Sequence, residues 1–237
     1  MIKIYISDTA ALDDGEVFTH YGNMVDDTRK SKIEQCRNEE DKKRSLLAGY
    51  LIQAGVREWI GEESGLHSAM PLSLSYIFGE NGKPYLADYP GLYFSLSHSG
   101  SYVIAAFSEK EVGIDIQYHK PMRCDMAKRF FSKEDNEWLQ GFDADGKVDA
   151  FYRLWAVKEA YMKLTGEGMR QGLDATKLEA EGYAADCIIP KLQIGRILHR
   201  NGEGGAFFRI YDKVEKYSIA VCSYSEISDI QSREVRL

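Results

Sequence analysis

The sequence predicts an α+β protein made of two similar halves. Three observations carry this. Short apolar runs alternate with polar residues, starting with Ile2, Ile4 and Ile6 around Lys3 and Tyr5, and read as strands. Each half also holds one long helical stretch that precedes such strands. Finally, Tyr102-Val103-Ile104-Ala105-Ala106-Phe107-Ser108 is echoed by Tyr217-Ser218-Ile219-Ala220-Val221-Cys222-Ser223. The halves meet near residue 109, giving an N-terminal α+β subdomain over 1–108, a C-terminal one over 109–225 and a polar tail over 226–237 that is expected to fray. A chain of 237 residues is long enough for one large or two modest domains.

The elements follow in order. A helix is expected from about Thr28 to Gly61, with an apolar stripe of Leu46, Leu47, Tyr50, Leu51 and Ala54 and basic residues crowding its start. Asn81-Gly82-Lys83-Pro84 is a turn by composition. Strands over Phe94–Ser97 and Tyr102–Phe107 flank the interruption Ser97-His98-Ser99-Gly100. After the polar break Glu109-Lys110-Glu111 comes a strand from Val112 to Gln117. Helices are expected around Met126–Phe131, about Asp135–Leu139, and from about Val148 to Leu164, the last stopping at Gly166.

Composition excludes several classes. The formal charge of −7 argues against a general nucleic-acid binder. Cys36, Cys124, Cys187 and Cys222 lie far apart, forming neither a disulfide framework nor a zinc knuckle. The N-terminus has Asp8 where a signal peptide needs an apolar run, and no stretch approaches the ~20 apolar residues of a membrane span. A cytoplasmic protein with no membrane partner is expected.

Two segments carry the chemistry. Along Val112–Gln117, alternate side chains share a face, so Val112, Ile114 and Ile116 are expected toward the core and Gly113, Asp115 and Gln117 away from it. Alone, that pattern also fits an edge strand with a solvated polar face. On the following long helix, Phe151, Leu154, Trp155, Tyr161 and Met162 cluster on one side, with Lys158 in the middle of their stripe. A buried ammonium needs an anion, which is a protein carboxylate or a ligand phosphate, unless the side chain snorkels to water. Glu159 and Lys163 flank the stripe at i and i+4, a spacing that also suits an ordinary surface ion pair. Together the two segments can hold a metal ion and a polyphosphate.

The histidines do not make a metal centre. His98 has no second histidine at metal spacing, and His20, His67, His119 and His199 are scattered. No nucleophile elbow, P-loop or G-x-G-x-x-G is present.

The order of the pieces is more specific than any one of them. Asn81-Gly82-Lys83-Pro84, Phe94-Ser95-Leu96-Ser97-His98-Ser99, Val112-Gly113-Ile114-Asp115, Arg129-Phe130-Phe131-Ser132 and Trp155-Ala156-Val157-Lys158-Glu159-Ala160-Tyr161-Met162-Lys163 together resemble the Sfp-type 4'-phosphopantetheinyl transferases. The likeness spans roughly residues 1–223 and includes Arg44-Ser45-Leu46-Leu47. It implies a monomeric pseudo-dimer of two α+β halves with the active site in the cleft between them. It implies transfer of 4'-phosphopantetheine from coenzyme A to a serine of an apo acyl or peptidyl carrier protein, with adenosine 3',5'-bisphosphate released. By matching position, Asp115 and Glu159 resemble the magnesium carboxylates, and Lys158 and Lys163 the phosphate-facing lysines. Ser97 and His98 match contacts to the 3'-phosphate end of coenzyme A, and Lys83 an adenine or phosphate contact. Arg44 and Ser45, with Arg29 and Lys32, match the basic side of the nucleotide pocket. Catalysis falls to Glu159 as base, with Lys163 and Asp115.

One position departs from the pattern. Many members carry glutamate two residues after this aspartate, whereas this chain has Gln117. Mg²⁺ is usually held by one or two carboxylates with phosphate oxygens and waters, so Asp115 and Glu159 suffice and Gln117 is a neutral ligand or a partner of the metal's water. Two other readings compete: a coenzyme A binder without transferase activity, and a magnesium-dependent hydrolase of nucleotide pyrophosphates. For the carrier, Lys120, Arg123, Lys128, Arg129 and Lys133 make a basic run beside apolar Met122, Met126, Phe130 and Phe131; otherwise Phe130 and Phe131 are core and the charges are solvated.

Overall fold

The computed structural model describes all residues except 63–69, 122–124, 169–171, 181–182, 184–191 and 203. Met122, Arg123, Cys124, Cys187 and His67, singled out above, lie outside the described residues. The chain divides into two compact units, Met1–Lys110 with Asp229–Leu237, and Glu111–Ser228.

The first unit has a four-stranded sheet ordered β11-β1-β5-β4, from β1 (Ile2–Asp8), β4 (Tyr93–Ser99), β5 (Tyr102–Ser108) and β11 (Ile230–Glu234). β5 runs antiparallel to both β1 and β4, and β11 runs parallel to β1 with Ile2 opposite Ile230. The tail that was expected to fray is therefore a strand of this unit. Its polar composition misled because an edge strand needs its main-chain groups more than apolar side chains. Helices α1 (Gly15–Gly22), α2 (Asp27–Gln35) and α3 (Glu39–Trp59) and a small hairpin, β2 (Tyr76–Phe78) and β3 (Pro84–Leu86), complete it.

The single helix expected from Thr28 to Gly61 is in fact two. Asn38 caps α3 by accepting from the Asp41 N–H at 2.7 Å, and Glu39, Glu40 and Asp41 suit the positive end of the new helix. α3 then buries Leu46, Leu47, Leu51, Ala54 and Val56 in a core with Val103, Ala105 and Phe107 of β5. The serine–histidine interruption also differs from expectation. Ser97, His98 and Ser99 continue β4, opposite Ile104, Val103 and Tyr102, so His98 stands at a strand end and not in a loop.

The second unit is an antiparallel sheet ordered β6-β10-β9-β8-β7, from β6 (Val112–Tyr118), β7 (Thr176–Ala180), β8 (Ile194–His199), β9 (Gly205–Ile210) and β10 (Tyr217–Ser223). Helix α6 (Ala144–Thr165) lies across β6 and β10, with α4 (Met126–Phe130) and α5 (Lys133–Gln140) beside it. α6 starts before Val148 because Asp143 caps it, accepting from the Gly146 N–H at 2.8 Å. It ends at Gly166, whose left-handed φ of 74° lets its N–H close onto the Met162 carbonyl. Among the described residues no helix is long and apolar enough to cross a membrane.

Candidate active site

The second unit brings its acids together through one close approach. β6 is an edge strand, but it is not solvated on either face: residues Val112 to Ile116 are all buried. The face carrying Gly113 and Asp115 turns toward α6, contrary to the expectation that it points away from the core. A Cβ on Gly113 would stand 2.0 Å from the Ala160 carbonyl oxygen and 2.6 Å from the Leu164 nitrogen, so only glycine lets helix and strand approach this closely. That approach sets Asp115, 1 % exposed, beneath the turn of α6 bearing Glu159 and Lys163.

Lys163 Nζ donates to Asp115 Oδ1 at 2.6 Å, and Gln117 Nε2 donates to Asp115 Oδ2 at 2.8 Å. Glu159 lies within hydrogen-bond reach of Asp115 and accepts from the Trp155 indole N–H at 2.7 Å. Burial pushes the Glu159 carboxyl up to about 7, helped by the negative charge of Asp115 and opposed by Lys163 and the indole. Two acids, Asp115 buried and Glu159 half-buried, thus face one lysine, so acidic groups outnumber cations here. Such a pair suits a divalent cation held by one or two carboxylates. Among the described residues no group of three or more His, Cys, Asp and Glu that could hold a metal ion converges.

Lys158 is a correction. It is wholly buried, and its ammonium donates to Asp135 Oδ2 at 2.5 Å, to the Leu173 carbonyl at 2.9 Å and to the Thr176 carbonyl at 3.1 Å. A lysine has three N–H donors, and all three are used on protein oxygens. The anion it needs is therefore a protein carboxylate and not a phosphate. Asp135 is just as completely satisfied: Oδ2 also accepts the Ser132 N–H at 3.0 Å, closing the capping box of α5, and Oδ1 accepts the Tyr183 hydroxyl.

The first unit holds a cavity of about 490 Å³, within the range of small-molecule sites. Arg29, Lys32, Arg44, Ser45, Ser97 and His98 all line it. Burial lowers the Arg29 guanidinium, and burial with the neighbouring Arg29 charge lowers Lys32, so both cations gain from a nearby anion. Arg44 is tethered at one end, donating to the Gly100 carbonyl at 3.1 Å and to Asp41 at 2.6 Å. Lys83 does not line the cavity; its ammonium lies 5.6 Å from the centre of the Tyr85 ring, while its neighbour Pro84 is in the lining.

Comparison with known proteins decides the family. The profile of the 4'-phosphopantetheinyl transferase superfamily matches residues 111–222, the stretch holding β6 and α6. A 4'-phosphopantetheinyl transferase of Bacillus subtilis is 34 % identical over 197 residues, covering 81 % of this chain and 80 % of its own. The chain belongs to this superfamily. The transferase Sfp of Bacillus subtilis strain 168 is 32 % identical over 198 residues, again covering 81 % and 80 %. The transferase psf-1 of Bacillus pumilus is 35 % identical over 159 residues, covering 66 % and 65 %. The chain is accordingly a transferase enzyme of the holo-carrier-protein synthase type.

In this transferase, Asp115, Gln117, Glu159 and Lys163 form one cluster, and Arg44, Ser97 and His98 gather around one cavity. Three participants escaped the sequence reading. Asp135 carried a local signal only as part of a helix start, Ser132 followed three residues later by an acid, which says nothing of Lys158. Tyr183 had no local signal. Trp155 was assigned to the apolar stripe, and its N–H donor was overlooked. In the basic run, Phe131 is core and Phe130 packs half-buried against the same core.

Proposed function

We propose that this transferase moves the 4'-phosphopantetheine arm of coenzyme A onto a serine of an apo acyl or peptidyl carrier protein and releases adenosine 3',5'-bisphosphate. The observation that carries the reading is the pair Asp115–Glu159, one buried and one half-buried acid facing Lys163, which is ion-paired to Asp115. Mg²⁺ would be held by Asp115 and Glu159, with Gln117 beside them, and when bound supplies positive charge to the pyrophosphate. In this reading the nucleotide end of coenzyme A is taken by the basic cavity, through Arg44, His98, Ser97 and the crowded cations Arg29 and Lys32. Lys83 serves the adenine end from the neighbouring turn. The arrangement as a pseudo-dimer acting as a monomer belongs to the same proposal.

The carrier serine oxygen attacks the phosphorus bearing the pantetheine arm, and the bond from that phosphorus to the nucleotide's phosphate oxygen breaks. Glu159 takes the serine proton. Its place beside Asp115 and Lys163 suits this role, because a base must reach the proton it abstracts. Lys163, about a third exposed, stabilises charge on the departing phosphate. Transfers of this kind depend on positioning and charge rather than on covalent catalysis.

The test is intact mass spectrometry of apo acyl and peptidyl carrier proteins incubated with the enzyme, coenzyme A and Mg²⁺. The expected result is a gain of one phosphopantetheine, lost with EDTA or Glu159→Gln. Coenzyme A binding without any gain on either carrier would overturn the reading in favour of a binder. Free phosphopantetheine released without a carrier would overturn it in favour of a hydrolase.

A further inference from the structure

Glu159 is a flexible side chain with a demanding position. It carries three rotatable bonds, and holding it still costs side-chain entropy unless something fixes it. One contact does so within its own helix. Trp155, one turn earlier on α6, donates its indole N–H to Glu159 Oε1 at 2.7 Å. This claims one oxygen and leaves the rest of the carboxyl on the side of Asp115, with which it also interacts.

The indole is itself wedged. Its ring centre lies 5.6 Å from Phe151, 5.9 Å from Phe131 and 5.1 Å from Phe130, the last two meeting it edge-on. Phe151 and Phe131 are core residues, so two sides of the wedge are rigid. Phe130 differs: it is half-buried, it belongs to α4, and the exposed Arg129 guanidinium lies 5.2 Å from the centre of its ring. A short chain of contacts therefore runs from the surface of α4 through Phe130 and Trp155 to Glu159. A phenylalanine at 155 would fill much of the space, but it has no N–H to give.

We infer that Trp155 is a positioning residue for Glu159, and that Phe130 of α4 helps to set its ring. The inference rests on the assignment of Glu159 made above. A single outer partner of a metal or catalytic ligand typically contributes ~10–100-fold to activity or metal affinity.

The experiment is a set of variants of the full chain: Trp155→Phe, Phe130→Leu, the double variant, and Trp59→Phe as a control on the exposed tryptophan of the first unit. Each is assayed for kcat and for KM toward coenzyme A, and titrated with Mg²⁺ while tryptophan fluorescence is recorded. Trp155→Phe is expected to lose ~10-fold or more in kcat with KM for coenzyme A within about twofold. The Mg²⁺-dependent fluorescence change of the parent is expected to vanish in Trp155→Phe and to survive in Trp59→Phe. Phe130→Leu should lose roughly threefold, and the double variant no more than Trp155→Phe alone, as coupled residues require. Parental kcat in Trp155→Phe, or losses that simply multiply in the double variant, would overturn the inference. If Trp155→Phe does not fold, replacing the tryptophan with benzothienylalanine keeps the ring shape and removes only the N–H; parental kcat there is equally fatal. Failure of the underlying assignment looks different, because the parent would then modify no carrier at all.

Discussion

Helix α6 carries the lysines of two aspartate–lysine pairs, five residues apart, and the two pairs differ in their surroundings. Lys158 meets Asp135 at 2.5 Å and Lys163 meets Asp115 at 2.6 Å, so distance does not separate them. Solvent and charge count do. Lys158 and Asp135 are both 0 % exposed, while Lys163 is 31 % exposed beside an Asp115 at 1 %. Around the first pair every donor and acceptor finds a neutral partner: two carbonyls, a hydroxyl and a backbone N–H. Around the second pair stands another acid, Glu159, so negative charge exceeds positive. A sealed and balanced pair locks a fold, whereas an unbalanced pair with one side open to water holds charge in reserve for a ligand.

The largest effect should come from breaking the sealed pair. Lys158→Met leaves Asp135 buried without its counter-charge and is expected to cost about 3–5 kcal/mol in urea denaturation. Lys163→Met should cost only about 1 kcal/mol, since Asp115 keeps its bond from Gln117 and water reaches the position. The activity ranking inverts: a folded Lys163→Met protein should lose ~10²–10³-fold in kcat. Equal stability losses for the two lysines would dissolve the distinction.

Next is Glu159→Gln, which keeps the shape and removes both the proposed base and an ionisable acid. Turnover should fall by ~10²–10³-fold, equivalent to roughly 3–4 kcal/mol of barrier. Stability should move the other way, with the variant firmer than the parent at pH 8, where the parent holds an ionised acid against Asp115. A loss of both activity and stability would put Glu159 in the class of Lys158.

A smaller effect follows from pH alone. The Glu159 carboxyl sits at about 7 in the folded protein against an ordinary 4.5. Between those values the folded state holds a proton that the unfolded chain has released, so this group's contribution to stability is full below 4.5 and declines as pH rises to about 7. After discounting for its partial exposure, the decline is about 1–2 kcal/mol. Mg²⁺ binds the ionised acid, so it should raise the melting temperature more at pH 8 than at pH 6. An equal rise at both would detach the cation from this carboxyl.

The same contrast explains what the sequence disclosed. Periodicity located β6 and α6 because both are nearly continuous apolar surfaces, and it flagged Lys158 as a lysine in the wrong place. It could not choose the anion, because Asp135 lies 23 residues away and Tyr183 lies 25 residues away on the other side. Pairings of that range are set by packing, which no local pattern encodes. Asp115 was read as outward-facing because alternation fixes which residues share a face, but not which face a helix will cover. The deciding clue was Gly113, whose missing side chain admits α6. The break between α2 and α3 was local and readable, since Asn38 followed by three acids is a helix start.

Gln117 gives the finest test, because it alters the charge count without touching either lysine. In the parent its amide donates to Asp115 Oδ2, a neutral bond that steadies one acid and adds no charge. Gln117→Glu removes that donor and sets a third carboxylate beside two that already crowd each other. Without cation the variant should be less stable than the parent at pH 8 by about 1 kcal/mol, from the lost bond and the added repulsion. At pH 5, with Glu159 protonated, the gap should shrink. Mg²⁺ should reverse the order, stabilising the variant more than the parent and binding at lower concentration, as an added negative ligand requires. If the variant's Mg²⁺ dependence matches the parent's in both melting temperature and turnover, then the side chain at 117 does not reach the metal. Gln117 would then act only by holding Asp115, which leaves two carboxylates as the whole protein share of the site.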